Sequence, residues 1–221
     1  MNRELRQGNF NTGFQFIYTG SIGLGNVVNK LGRTDLINDI VNVSLPPLTR
    51  AEARKLIQRL VSGLKTKGCD LDLDEKTIHY ILDKDSWRIP YYIQIIVEEL
   101  QDHCQETCVR IDEGILDEVI NKIITDRYKY QDYFENWKTR LKQAFEGDEY
   151  RCAVQVLNHI STHGQINYND LYNLSVAHKI RDLKDITNVL EYDGYISRNK
   201  EKIYRFNSII LKEWWYVNVA E

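Results

Sequence analysis

Apolar side chains recur three and four positions apart through much of the chain, the spacing that gives an α-helix one apolar face. Ala53, Leu56, Ile57, Leu60, Val61 and Leu64 make the first clear face, ended by the glycines from Gly63 to Gly68. Ahead of it, Thr49-Arg50-Ala51-Glu52 is a capping box, in which hydroxyl and carboxylate each satisfy an N–H that the first turn leaves without a partner. Ile78, Ile81 and Leu82 predict a second helix, capped by Asp74 or Asp72. A third opens at Pro90, whose missing N–H and fixed φ suit a first turn, and carries Tyr92, Ile93, Ile96, Val97 and Leu100. Asp112 opens a fourth, with Ile115, Leu116, Val119, Ile120, Ile123 and Ile124, and Tyr130, Tyr133, Phe134, Trp137, Leu141 and Phe145 form one side of a fifth. Together they predict a small helical bundle.

The pattern differs at both ends. Residues 14–19 are aromatic and β-branched and stop at Gly20, Gly23 and Gly25, which predicts a buried strand feeding a flexible loop. A short helix over 27–31 closed by Gly32 and a second strand over 41–45 ended by Pro46-Pro47 complete an α/β pattern with parallel strands. After Gly147-Asp148 the spacing predicts helices over 150–160, 168–174 and 180–192, then Gly194. Residues 195–198 and 202–206 alternate like strands on either side of Asn199-Lys200-Glu201 and should pair as a hairpin. Three helices followed by a hairpin is a winged-helix arrangement, closed by a helix that Ser208 caps and that Ile210, Leu211, Trp214 and Trp215 dock. The expected units are therefore 1–47, an α/β end; 48–147, a helical bundle; and 148–221, a winged helix.

Composition narrows the chemistry. With 29 Lys and Arg against 32 Asp and Glu, the net charge of -3 gives no overall pull toward nucleic acid or an anionic membrane, although a local basic patch stays open. No apolar run approaches the roughly 20 residues of a membrane span, and residues 1–13 are too polar for a secretion signal, so a cytoplasmic protein is expected. Cys69, Cys104, Cys108 and Cys152 are too few and scattered for a disulfide framework; with His103 they offer no second close pair for zinc, and ordinary thiols are expected. Gly20 and Gly25 have the spacing of a phosphate loop, but Asn26 and Val27 follow where lysine and a hydroxyl residue are needed, and Lys65-Thr66 follows Leu64 instead of a glycine. No nucleophile–base–acid arrangement is supported by spacing, so no catalytic residue is assigned.

Phe16 to Leu24, the Leu45-Pro46-Pro47-Leu48-Thr49 junction, Trp87 to Gln94, and Leu190 to Tyr195 ahead of Arg205-Phe206, in this order, resemble the C-terminal half of prokaryotic AAA+/STAND ATPases of the archaeal-ATPase type. The resemblance covers nearly the whole chain. It implies a mainly α fold comprising the residual α/β end of a P-loop ATPase domain, a helical lid bundle and a C-terminal winged helix. It implies that the Walker segments would lie before Met1. ATP and Mg would bind only with that missing N-terminal segment, and the chain alone would not be an ATPase. By position it makes Ser21, then Thr19, the sensor residue for the γ-phosphate, puts Arg88 and Pro90 where such lids touch nucleotide, and offers Arg33 as an arginine-finger candidate for a neighbouring subunit of an oligomeric full-length protein. The family usually has a glycine shortly before that proline, where Ser86 and Trp87 stand here. The implied partner is the P-loop half or another protein. Two alternatives remain: a winged-helix regulator contacting DNA through Arg198, Lys200, Lys202 and Arg205, and a protein-interaction adaptor.

Overall fold

The computed structural model describes residues 45–66, 71–107, 111–126 and 128–220, together with Val28, Gly32, Val41 and Val43. Among the described residues, the first part contains the helices α1 (Arg50–Thr66), α2 (Glu75–Lys84), α3 (Pro90–Thr107), α4 (Glu113–Thr125) and α5 (Gln131–Ala144). Their starts follow local chemistry. Thr49 N–H donates to Glu52 Oε2 at 2.8 Å and Glu52 N–H to Thr49 Oγ1 at 3.3 Å, closing the capping box. Asp74, not Asp72, caps α2 by accepting from Thr77 N, and Asp112 caps α4 by accepting from Ile115 N. Each cap contributes about 1 kcal/mol. α1 packs on α2 and α3, and α3 packs on α4.

A charge cluster pins α3, α4 and the turn before α5. Glu99 is fully buried in α3, and its carboxylate takes Lys122 of α4, Lys129 Nζ at 2.8 Å and the Tyr130 hydroxyl. Burial works against the charge, but these three donors outweigh it and hold the carboxyl down at about 2. Lys129 also reaches Asp102 at 2.7 Å.

α6 (Gly147–His163), α7 (Tyr168–Ala177), α8 (Leu183–Tyr192), β1 (Ile196–Arg198), β2 (Tyr204–Phe206) and α9 (Ile209–Asn218) follow. The strands pair antiparallel, Ile196 opposite Phe206 and Arg198 opposite Tyr204. Asn199 Oδ1 holds the connection by accepting from the Glu201 and Ile203 amides. Between α6 and α7, Ile166 exchanges two backbone hydrogen bonds with Tyr204, at 3.0 and 2.9 Å, and so lies on the outer side of β2. This crossing carries no strand signal of its own, being one residue long.

Ser208 caps α9 through Leu211 N, and α9 then packs on both α6 and α4. Trp215 is fully buried and donates its indole N–H to Asn158 Oδ1 at 2.8 Å, while Trp214 stacks on Phe134 of α5 with ring centroids 5.0 Å apart. The buried core runs on without a break across residue 147, joining Leu100, Phe134 and Leu141 to Leu157, Leu190 and Leu211. The described residues are mainly helical, with one two-stranded sheet, and none of their helices is long and apolar enough to cross a membrane.

Of the α/β pattern expected before residue 47, Val28 is helical and buried and Gly32 has φ 65, as a turn-closing glycine can. Val41, Val43 and Leu45, from the second expected strand, are exposed and pair with no strand among the described residues. The expected strand over 14–19 lies outside the described residues.

Candidate functional site

The turn from α2 into α3 is where the bundle meets the C-terminal elements. α2 ends at Asp85, whose carbonyl accepts from Arg88 N at 3.0 Å, and Arg88 takes φ 51, a left-handed conformation costly for a side-chain-bearing residue. Its guanidinium offsets that cost. Arg88 Nε donates to the Leu48 carbonyl at 2.9 Å and Nη1 to the Ser86 carbonyl at 3.0 Å, while Leu48 N–H donates to the Arg88 carbonyl at 3.2 Å. Arg88 thus clasps the segment entering α1 to the start of α3. Pro90, exposed, begins α3, with Ile89 O accepting from Tyr92 and Ile93.

The residues just ahead of Arg88 reach across more than a hundred positions of sequence. Ser86 Oγ donates to the Asn207 carbonyl at 3.0 Å. Trp87 packs against the turn after α8: a Cβ at Gly194 would stand 2.6 Å from Trp87 Cζ2 and closer still to Cη2. Gly194 also has φ 85, so both the backbone and the indole demand glycine there. Trp87 next meets Trp137 of α5 at 5.9 Å between centroids, and Trp137 meets Tyr195 edge-on at 4.9 Å. Tyr195 hydroxyl donates to the Trp137 carbonyl at 2.5 Å. Arg140 lies over Trp137 and donates to the Asp193 carbonyl at 3.0 Å. Asn207 Nδ2 closes the frame on the Gly194 and Ile196 carbonyls, both at 3.0 Å.

Behind this joint lies a buried carboxyl. Asp85 is fully enclosed, and neither carboxylate oxygen has a hydrogen-bond partner among the described residues. Burial pushes it up to about 7, with the Arg88 backbone and charge opposing only in part. The Tyr92 hydroxyl, raised above its ordinary range chiefly by burial, faces the Trp137 and Ser208 side chains from the same interior.

Of the residues the resemblance singled out, Arg88 and Pro90 come together here, Arg88 with its guanidinium turned to backbone carbonyls. Ser21, Thr19 and Arg33 lie outside the described residues, as do Cys69 and Cys108. Cys104 and Cys152 form no disulfide; burial pushes the Cys152 thiol up to about 11. Among the described residues no three His, Cys, Asp or Glu side chains converge as metal ligands.

The hairpin basic residues are engaged to different degrees. Arg205 gives Nε and Nη2 to Gln165 Oε1 at 3.1 and 2.6 Å. Arg198 stands 3.8 Å from Glu191, and Lys202, with φ 59, extends over the Tyr168 ring at 5.3 Å. Lys200 is exposed at the tip. α8 presents Lys184 beside Asp182 and Asp185, both exposed.

Sequence reasoning names Pro90 and its helix but misses Asp85, Gly194 and Asn207, whose roles rest on contacts with no local periodicity. A buried acid beside a tryptophan and a glycine closing a helix were the available signals. No family model, curated protein or solved structure matches the chain.

Proposed function

We propose that the chain is the lid and winged-helix portion of an AAA+/STAND-type ATP-binding protein, transmitting nucleotide state from the start of α3 to its C-terminal unit. The observation that carries this reading is the joint: Ser86 and Trp87, anchored on Asn207 and Gly194, directly precede Arg88 and Pro90. A nucleotide drawn to the start of α3 would displace a turn already fastened to the far unit. The order α6, Ile166, α7, α8, hairpin supports a winged helix over residues 148–221. Arg88 acts on this reading as the clasp that holds the lid entry, and Pro90 as the helix start that faces nucleotide. ATP and Mg are bound with the P-loop segment, and the setting is cytoplasmic.

The test is nucleotide turnover. The 221-residue chain alone should hydrolyse no ATP, and joined to a P-loop segment it should bind ATP with an affinity that Pro90→Ala weakens. Turnover by the chain alone, or an affinity indifferent to Pro90, would overturn the reading.

A second reading, DNA contact through the wing, is favoured by one feature: Lys200 and Lys202 extend from the hairpin tip and form no ion pair among the described residues. Its test is given below.

A further inference from the structure

A carboxyl enclosed without a hydrogen-bond partner is uncommon and calls for a physical reason. Asp85 is such a group, and its position is specific: it is the last residue before the turn that carries Ser86 to Asn207 and Trp87 to Gly194. We propose that Asp85 makes this joint responsive to pH, the neutral acid sitting comfortably in the closed joint and the carboxylate driving it open to reach water. The inference concerns the joint itself and stands whether or not the chain serves an ATPase.

Among the described residues, few groups act on Asp85 or on the hydroxyl of its neighbour Tyr92. The turn contributes Arg88, the one cation acting on Asp85 among the described residues; its backbone N–H also favours the carboxylate but donates to the Asp85 carbonyl, and its guanidinium is occupied by the Leu48 and Ser86 carbonyls. α3 contributes Tyr92, whose hydroxyl is itself enclosed and neutral; α5 and α9 face that hydroxyl with Trp137 and Ser208, neither of which carries charge. Among the described residues, no group compensates a carboxylate at Asp85 fully. A buried ion left so is relieved either by taking a proton or by exposure.

The sign follows from linkage. The closed joint holds the carboxyl at about 7, whereas the opened joint returns it toward the ordinary value of about 4. Closure is therefore complete at acid pH, weakens up to about tenfold per pH unit as pH rises from about 4 to about 7, and levels off above.

Amide hydrogen exchange of wild type and Asp85→Asn, compared at each pH from 4.5 to 8.5, reads this directly, because the ratio of the two rates cancels the intrinsic chemistry. For amides at 86–89 and 194–208 the ratio should climb toward neutrality and flatten above pH 7, while amides of α6 stay level. A ratio that is flat with pH overturns the proposal, as does one that climbs equally in α6, since that would be global unfolding. If Asp85→Asn does not fold, the carboxyl carbon shift of Asp85 in the wild-type protein decides: a midpoint near 7 supports the switch, and one below 5 sinks it.

Discussion

Replacing Gly194 by alanine probes the joint at its tightest point. Two costs combine. The φ of 85 puts alanine in a left-handed conformation, which costs roughly 1–2 kcal/mol. The added methyl would lie 2.6 Å from Trp87 Cζ2, well inside contact distance, so the indole must shift within a packed environment. Overpacking of that kind costs about 1–3 kcal/mol, bringing the total to roughly 2–5 kcal/mol. The two terms separate in a double-mutant cycle. With Trp87→Ala already present, no ring remains to be struck, and Gly194→Ala should then cost only the backbone term of about 1–2 kcal/mol. Urea unfolding of the four proteins, extrapolated to water, supplies the numbers. If Gly194→Ala costs the same with and without the indole, within about 0.5 kcal/mol, Trp87 does not occupy that turn and the joint as described is wrong.

Other consequences are as direct. Glu99→Gln should destabilise the protein at pH 7 by about 3 kcal/mol, the low end for a broken buried pair because Lys122 and Lys129 both reach water. Glu99 is held at about 2, below its ordinary value of about 4.3, so its contribution is present above about pH 4 and lost as pH falls through about 2; acid denaturation of the variant should lack that loss. Arg88→Ala removes both carbonyl contacts while leaving the left-handed backbone in place, and should cost about 1.5–3 kcal/mol with faster exchange at the Leu48 amide; an unchanged Leu48 amide would argue against the clasp. On the second reading, fluorescence anisotropy with duplex DNA should show binding that Lys200→Ala weakens, with the salt slope reduced by about 1, whereas Arg205→Ala should do less, its guanidinium being held by Gln165. Equal effects of the two would remove the wing tip as the contact.

What could be read from the chain divides by the range of the interactions. Helix starts were legible because Thr49 with Glu52, Asp112 and Ser208 act within three residues of themselves. Asp74 and Asp72 were not separable by pattern; Asp74 wins because its carboxylate reaches Thr77 N, whereas Asp72 pairs with Lys65. The hairpin followed from alternation, since Tyr204 and Phe206 are buried and Arg205 is not. Ile166 could not be seen as its neighbour, because a single bridging residue has no period. In the candidate site, Pro90 was visible through its own chemistry. Trp87 against Gly194 was not, because nothing near either residue names the other. Arg88 reads from the sequence as a nucleotide contact, and only the fold gives it the Leu48 carbonyl to hold.

The most direct test of the account is hydrogen exchange on a protein that joins these residues to a P-loop segment, measured with and without ATP and Mg. The account predicts altered protection at 86–93 and, together with it, at 194–208, where no nucleotide contact is assigned. A change confined to 86–93, or none in either stretch, would contradict transmission through the Trp87–Gly194 joint.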